Sequence, residues 1–141
     1  MRTMSDDERR QFLSAGTRTA KLATVREDGR AHIAPIWFVL DGDDLIFTTG
    51  ADTAKGRTIR RDPRVVLCVD REEPLYDYVV VEGVATVSED PVEMLKWATL
   101  IAARYMGEDK AESYGKRNAV PGELLVRVKP TKIIALKDIA G

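Results

Sequence analysis

The chain has 141 residues, 44% of them hydrophobic and 32% charged, with a formal net charge of −1. That is one domain with enough apolar material for a core, and its slight acidity excludes a surface built as a whole to attract nucleic acid, so any anion site must be local. The single cysteine, Cys68, excludes a disulfide framework, and a Cys–His pair would use the only copy of each residue.

No apolar run approaches the roughly 18 residues needed to span a membrane. The opening "MRTMSDDERRQF" lacks the apolar segment of a signal peptide. The expectation is a cytoplasmic protein with neither nucleic acid nor membrane as partner. In "SDDERRQFLSAG", Ser5 caps a short helix and Glu8 completes a capping box; Gly16 stops the helix, and Phe12 and Leu13 face inward. Three extended runs follow, at 18–26, 30–40 and 44–49, joined by the Asp-Gly turns "EDGR" and "DGDD". Both faces of the first run are mixed, so the inward one stays open. Pro35 marks the second run as an edge strand or a bulge.

"TAKGRTIRRD" reads as a short helix capped by Asp52 or Thr53 and ended by Pro63. "RVVLCVD" and "YDYVVVEGVATVSE" are strands, with Gly83 a bend or bulge in the second. The strongest helix is "DPVEMLKWATLIAARYMG". Asp90 caps it, Pro91 takes its first position, Glu93 completes a box, and Gly107 stops it. Its predicted inward stripe is Val92, Leu95, Ala98 (or Trp97), Ile101, Ala102 and Tyr105. A second short helix lies in "DKAESYGKRNAVPG", and "ELLVRVKPTKIIALKDI" is a long last strand bent at Lys129-Pro130. The predicted class is mainly β (α+β), six antiparallel strands with short flanking helices. A closed or split barrel removes the exposed edges of such a sheet.

The motif search is mostly negative. There is no G-x-G-x-x-G after a strand, no H-E-x-x-H, no C-x-x-C and no G-x-S-x-G. "GADTAKG" superficially resembles a phosphate loop, but Gly56 stands where the hydroxyl residue belongs. No metal ligand set and no catalytic residue can be named. The positive signal is the density of cations from Lys55 to Arg64: Lys55, Arg57, Arg60, Arg61 and Arg64. They either keep a short helix solvated or hold an anion. In the second case, free amides at the helix start receive the anion, the Thr53 hydroxyl and Lys55 lie beside them, Arg57 adds a donor fork, and Gly56 permits close approach.

The stretch "TAKLATVREDGRAHIAPIWFVLDGDDLIFTTGADTAKGRTIRRDPRVVLCVD", with the closing "GELLVRVKPTKI", resembles the split β-barrel family of pyridoxamine-phosphate-oxidase-like flavin and deazaflavin binders, and within it the small F420-dependent oxidoreductases. The resemblance implies a homodimer of six-stranded split barrels with two cofactor sites at the subunit interface. It implies that Lys55, Arg57 and Thr53 hold the cofactor phosphate, and that backbone groups of Ala34, Pro35, Ile36 and Trp37 meet the ring edge. Thr48 and Thr49 would lie on its ribityl side, and Tyr76 would come from the partner chain. The pyridoxamine-phosphate oxidases themselves carry a longer C-terminal motif, so vitamin B6 oxidation is not expected of a sequence that ends at Gly141.

A hydride-transfer cofactor brings its own reactive carbon, which suits a chain without a catalytic triad. Three functions follow: an F420-dependent reductase of an unsaturated or conjugated small molecule, an FMN-binding oxidase or flavin reductase, and an F420 carrier without turnover. Among single residues, His32 is either structural or a proton donor, and Cys68 is expected in the core. Trp37 belongs to the dimer core or the pocket. Trp97 and Tyr105 are read as packing residues. Arg104, Lys116 and Arg117 either face solvent or reach the poly-glutamate tail of F420.

Overall fold

The capping signals act where the sequence places them. In the computed structural model, which describes residues 1–141, Ser5 accepts the Glu8 amide while Glu8 accepts the Ser5 amide, opening α1 (Asp6–Ser14). Glu8 also pairs with Arg2 at 2.8 Å and Lys137 at 2.9 Å. These contacts pin β1 (Arg2–Thr3) onto the far end of the last strand. Gly29 and Gly42 take positive φ in the two Asp-Gly turns, a region open to glycine without steric cost.

The strands are β2 (Ala20–Val25), β3 (Ala31–Ile36), β4 (Val39–Asp41), β5 (Asp44–Gly50), β6 (Arg64–Asp70), β7 (Tyr78–Ser88) and β8 (Glu123–Lys137). With β1 they form one antiparallel sheet of eight strands, ordered β3-β2-β6-β7-β8-β5-β4 with β1 on β8. The expectation of six strands is corrected. The run at 30–40 divides at Trp37 and Phe38 into β3 and β4, and two N-terminal residues add β1. The break is not at Pro35, which sits within β3 opposite Lys21. There β3 is a sheet edge, where the missing amide costs no ladder bond.

This division explains the barrel. β3 and β4 lie at opposite ends of the sheet order, yet only two residues separate them in the chain. Three Cα steps reach at most about 11 Å. The sheet must therefore curl until its two edges face one another across a narrow split. Phe38, fully buried in the split, plugs it from inside. Phe38 and Phe47 each contribute roughly 1.5–3 kcal/mol of burial.

The inward face of β2, open in the sequence, is Ala20, Leu22 and Thr24. It packs with Leu67, Val69, Val79, Val81, Leu124 and Val126 in one central core. Cys68 is corrected: it alternates with Leu67 and Val69, so it lies half-buried on the outer face of the sheet, its thiol pushed up by burial. Gly83 makes the expected bulge, with a register shift at Glu82/Gly83 opposite Pro130. The Lys129 carbonyl approaches Gly83 too closely to admit a Cβ.

The helices are α2 (Ala54–Arg61), α3 (Pro91–Met106) and α4 (Ala111–Asn118), the last two joined by a 3₁₀ turn (Glu108–Lys110). The stripe read on α3 holds at Trp97, Ala98, Ile101 and Ala102 and fails at Val92 and Leu95. Met94, Trp97, Ala98, Ile101 and Ala102 are buried, while Val92 is 77% and Leu95 41% exposed. A helix apolar on several sides leaves the choice to its neighbours: Met94 and Trp97 settle on Ile46 and Leu125, on the outer face of β5 and β8. Glu93 does not complete a capping box either. Asp90 accepts the Val92 amide, and Glu93 accepts the Trp97 indole N–H at 3.1 Å, one turn on. No helix is long and apolar enough to cross a membrane.

Candidate functional site

A cleft of about 390 Å³ opens where the barrel is split. Pro35, Ile36 and Trp37 from the β3–β4 junction form one wall. Thr48 and Thr49 from the end of β5 face them, and Lys55 enters from the first turn of α2. Ala98 and Ile101 of α3 make an apolar side, while Asn118 and Glu123 close the end. The volume lies within the range of small-molecule sites.

The cationic stretch divides its labour. Arg57 donates to the Asp52 carbonyl and Arg61 to the Val25 carbonyl. Arg60 pairs with Glu89 at 3.3 Å and Arg64 with Asp62 at 2.8 Å, which holds the Asp62 carboxyl down at about 2. Four of the five cations are thus engaged in tying α2 to its surroundings. Lys55 alone has neither a hydrogen bond nor an ion pair, and it lies in the cleft wall.

Thr53 is the N-cap of α2. Its hydroxyl donates to the Gly50 carbonyl at 2.7 Å, accepts the Gly56 amide at 3.1 Å and lies 3.1 Å from the Thr49 hydroxyl. It is committed to the helix start and is not a free donor. Only the Gly56 amide is satisfied by this cap, and the other first-turn amides have no partner within the helix. Gly56 itself is needed by the backbone: an added Cβ would overlap the Gly50 carbonyl.

Among the residues the sequence singled out, the fold gathers Lys55, Thr48, Thr49, Pro35, Ile36 and Trp37 around one cleft. Arg57 turns back to Asp52, outside the wall. Ala34 pairs with Leu22 and does not line it. Tyr76 stands 46% exposed in the loop before β7, with φ +68, away from the cleft of its own chain. His32 also lies outside it, across from Thr24 in the β2–β3 ladder; its Nδ1 and the Thr24 hydroxyl are buried without protein partners.

Trp37 is held from behind. Tyr105 stacks on it at 5.0 Å with planes 3° apart. The Tyr105 hydroxyl accepts the Phe38 amide at 3.2 Å and donates to the Arg18 carbonyl at 2.8 Å, and burial pushes its pKa up. The adjacent Arg104 is half-buried and does not line the cleft. Its guanidinium donates to the carbonyls of Leu13, Gly16 and Phe38 at 2.7, 3.0 and 2.7 Å and lies over the Phe38 ring. Arg104 therefore caps the C-terminus of α1 and fixes the β3–β4 junction. Burial lowers its pKa, which still leaves an arginine charged.

Glu123 is the residue that sequence reasoning missed. The only signal was a carboxylate opening an otherwise apolar strand, "GELLV". Burial pushes its pKa up, and nearby Lys55 opposes that shift. Chemically, the cleft offers one free cation near a helix start, two threonine hydroxyls and an apolar side formed by Ile36, Trp37, Ala98 and Ile101. That suits a planar ligand carrying an anionic group.

Comparison with known proteins gives the family of this fold. The chain is similar to the conserved hypothetical protein Rv2991 of Mycobacterium tuberculosis, with 26% identity and a TM-score of 0.85 over 98% of this chain and 89% of that one. It is similar to an F420 reductase, with 29% identity and a TM-score of 0.67 over 87% and 94% of the two chains. A FAD-binding protein of Mesorhizobium loti, at 20% identity and a TM-score of 0.70 over 95% and 93%, shares the fold. The family model described as pyridoxamine 5'-phosphate oxidase matches residues 5–137, and the chain belongs to that family.

Proposed function

We propose that this protein is an F420-dependent oxidoreductase that reduces an unsaturated or conjugated small organic molecule. The observation that carries the reading is Lys55: it is the one cation of its stretch without a partner, and it borders a cleft lined by Trp37, Ile36 and Ile101. Lys55 and the amides opening α2 bind the cofactor phosphate. Trp37, held against Tyr105, orients the ring, while Pro35 and Ile36 exclude water from one edge. The deazaflavin supplies the hydride when bound. The F420 reductase neighbour, 29% identical, supports F420 over a flavin.

FMN is the second reading, since it also presents a phosphate and a flat ring and a neighbour in the fold is described as FAD-binding. Titrating the purified protein with F420 and with FMN separates the two. The expected result is F420 binding at lower concentration, followed by oxidation of reduced F420 when enones or quinones are added. Preferential FMN binding overturns the F420 assignment, and F420 binding without turnover of any substrate makes the protein a carrier.

The proposal includes a homodimer. Its support is an apolar outer face on β3, β2, β6 and β7, where Ile33 is 68% exposed and Val25, Val66 and Val84 also meet solvent. A second copy covering this face removes that apolar area from water and carries its Tyr76 toward a cleft. Sedimentation should give twice the 15.7 kDa chain mass. A monomer at micromolar concentration rules the arrangement out.

A further inference from the structure

Glu123 stands where an incoming anion would go. It is the first residue of β8 and pairs in register with Gly50, the last residue of β5. A Cβ placed on Gly50 would lie 3.7 Å from the Glu123 carboxylate and 3.2 Å from Thr53 Cγ2. The carboxylate therefore sits over the turn that leads into α2, beside its N-cap. It has no hydrogen bond and no cation within 4.0 Å. Lys55 and Glu123 are the only ionisable groups in the cleft wall; α3 contributes alanine and isoleucine, α4 an asparagine, β5 two threonines.

A built carboxylate is a poor neighbour for a phosphate. Like charges a few ångströms apart in a partly desolvated cleft repel, and the repulsion at this end of the cleft scales with the charge on the phosphate group itself. A phosphomonoester carries nearly two negative charges at neutral pH, because its second pKa is about 6. A phosphodiester carries one and does not titrate in this range. Glu123 faces either ligand, so Lys55 must offset one phosphate charge beside it for the diester and nearly two for the monoester.

We propose that Glu123 is the specificity-determining residue of the cleft: its carboxylate competes with the ligand phosphate for Lys55 and the start of α2, and so selects phosphodiester over phosphomonoester cofactors. The inference rests on the reading of the cleft as a cofactor-phosphate site. It accounts for an acid beside Lys55 in the cleft of this chain, and it gives the chain a physical means of preferring F420, a diester, over FMN, a monoester. Protonation of Glu123 relieves the repulsion. Diester binding then takes up a proton, and affinity rises as pH falls through the raised Glu123 pKa.

The test compares E123Q with the wild-type protein by titration of F420 and of FMN between pH 8 and pH 5. At pH 8, E123Q should bind FMN about tenfold tighter and F420 about threefold tighter, narrowing the preference. Wild-type affinity for F420 should rise on acidification, and that slope should vanish in E123Q. E123A removes the same charge and replaces E123Q if the latter has a lowered melting temperature. Affinities within twofold of wild type, or weaker binding of both cofactors, overturn the inference; the latter makes Glu123 a direct ligand of the cofactor. Failure of the wild-type protein to bind either cofactor is a distinct result, which removes the reading of the cleft and the inference with it.

Discussion

Replacing Lys55 with alanine should weaken F420 binding roughly tenfold to a hundredfold and leave the melting temperature unchanged. The two halves of this expectation have the same origin. Lys55 makes no hydrogen bond and no ion pair within 4.0 Å, so its loss removes neither from the folded state. In the complex it makes a charge-assisted bond to phosphate, and such a contact contributes about 1.5–3 kcal/mol, which is one to two decades in affinity. Arg57→Ala provides the contrast. Its guanidinium is directed to the Asp52 carbonyl, so its loss should loosen the start of α2 and change affinity less than the Lys55 variant does. Isothermal titration with F420 measures both. Equal affinity of wild type and Lys55→Ala would place the phosphate elsewhere.

Arg104→Ala should destabilise the protein by about 3 kcal/mol, or roughly 10 °C in melting temperature for a domain of this length. The side chain satisfies carbonyls at the end of α1 and at the β3–β4 junction simultaneously. Truncation leaves those acceptors partly buried and unpaired, and it removes the planar group stacked on Phe38. Arg104→Lys should recover only part of the loss, because one ammonium cannot span three carbonyls in fixed directions. Thermal unfolding by circular dichroism gives the comparison. A change below 1 kcal/mol for Arg104→Ala would mean that water replaces the guanidinium without cost. Because the same residue holds the Phe38 carbonyl, the variant should also lose order at Trp37, visible as altered indole fluorescence.

Local features were legible because local forces decide them. The Ser5–Glu8 box, the positive-φ glycines in the Asp-Gly turns and the Thr53 cap involve residues within four positions of one another. The bulge at Gly83 was legible too, since a glycine inside a β-branched run has few other uses. The α3 stripe was legible in part: Trp97, Ala98, Ile101 and Ala102 are buried, but several sides of the helix are apolar, and Ile46 and Leu125, distant in sequence, select Met94 over Val92 and Leu95. Arg104 was misread for a related reason. An arginine late in a helix looks like a solvated cation until a separate helix end and a strand junction arrive beside it.

The candidate site divides along the same line. Sequence alone assembled Pro35, Ile36, Trp37, Thr48, Thr49 and Lys55, chiefly through a resemblance that runs along most of the chain. It could not tell which of five cations is free, because Arg57, Arg60, Arg61 and Arg64 find their partners only in the folded state. Nor could it find Glu123, which is 73 positions from Gly50 in the chain and opposite it in the sheet.

By itself, then, the sequence determined the mainly β class, the hairpins and the helix starts, consequences of short-range hydrogen bonding and hydrophobic period, and through a resemblance it pointed to the residues around the cleft. Tertiary structure alone decided that β3 and β4 become opposite edges of one curled sheet, that the split between them is a cleft, and that one lysine is left over to face it. Those outcomes depend on long-range strand pairing and on the competition of charges for partners, and neither is written in any short window of the chain.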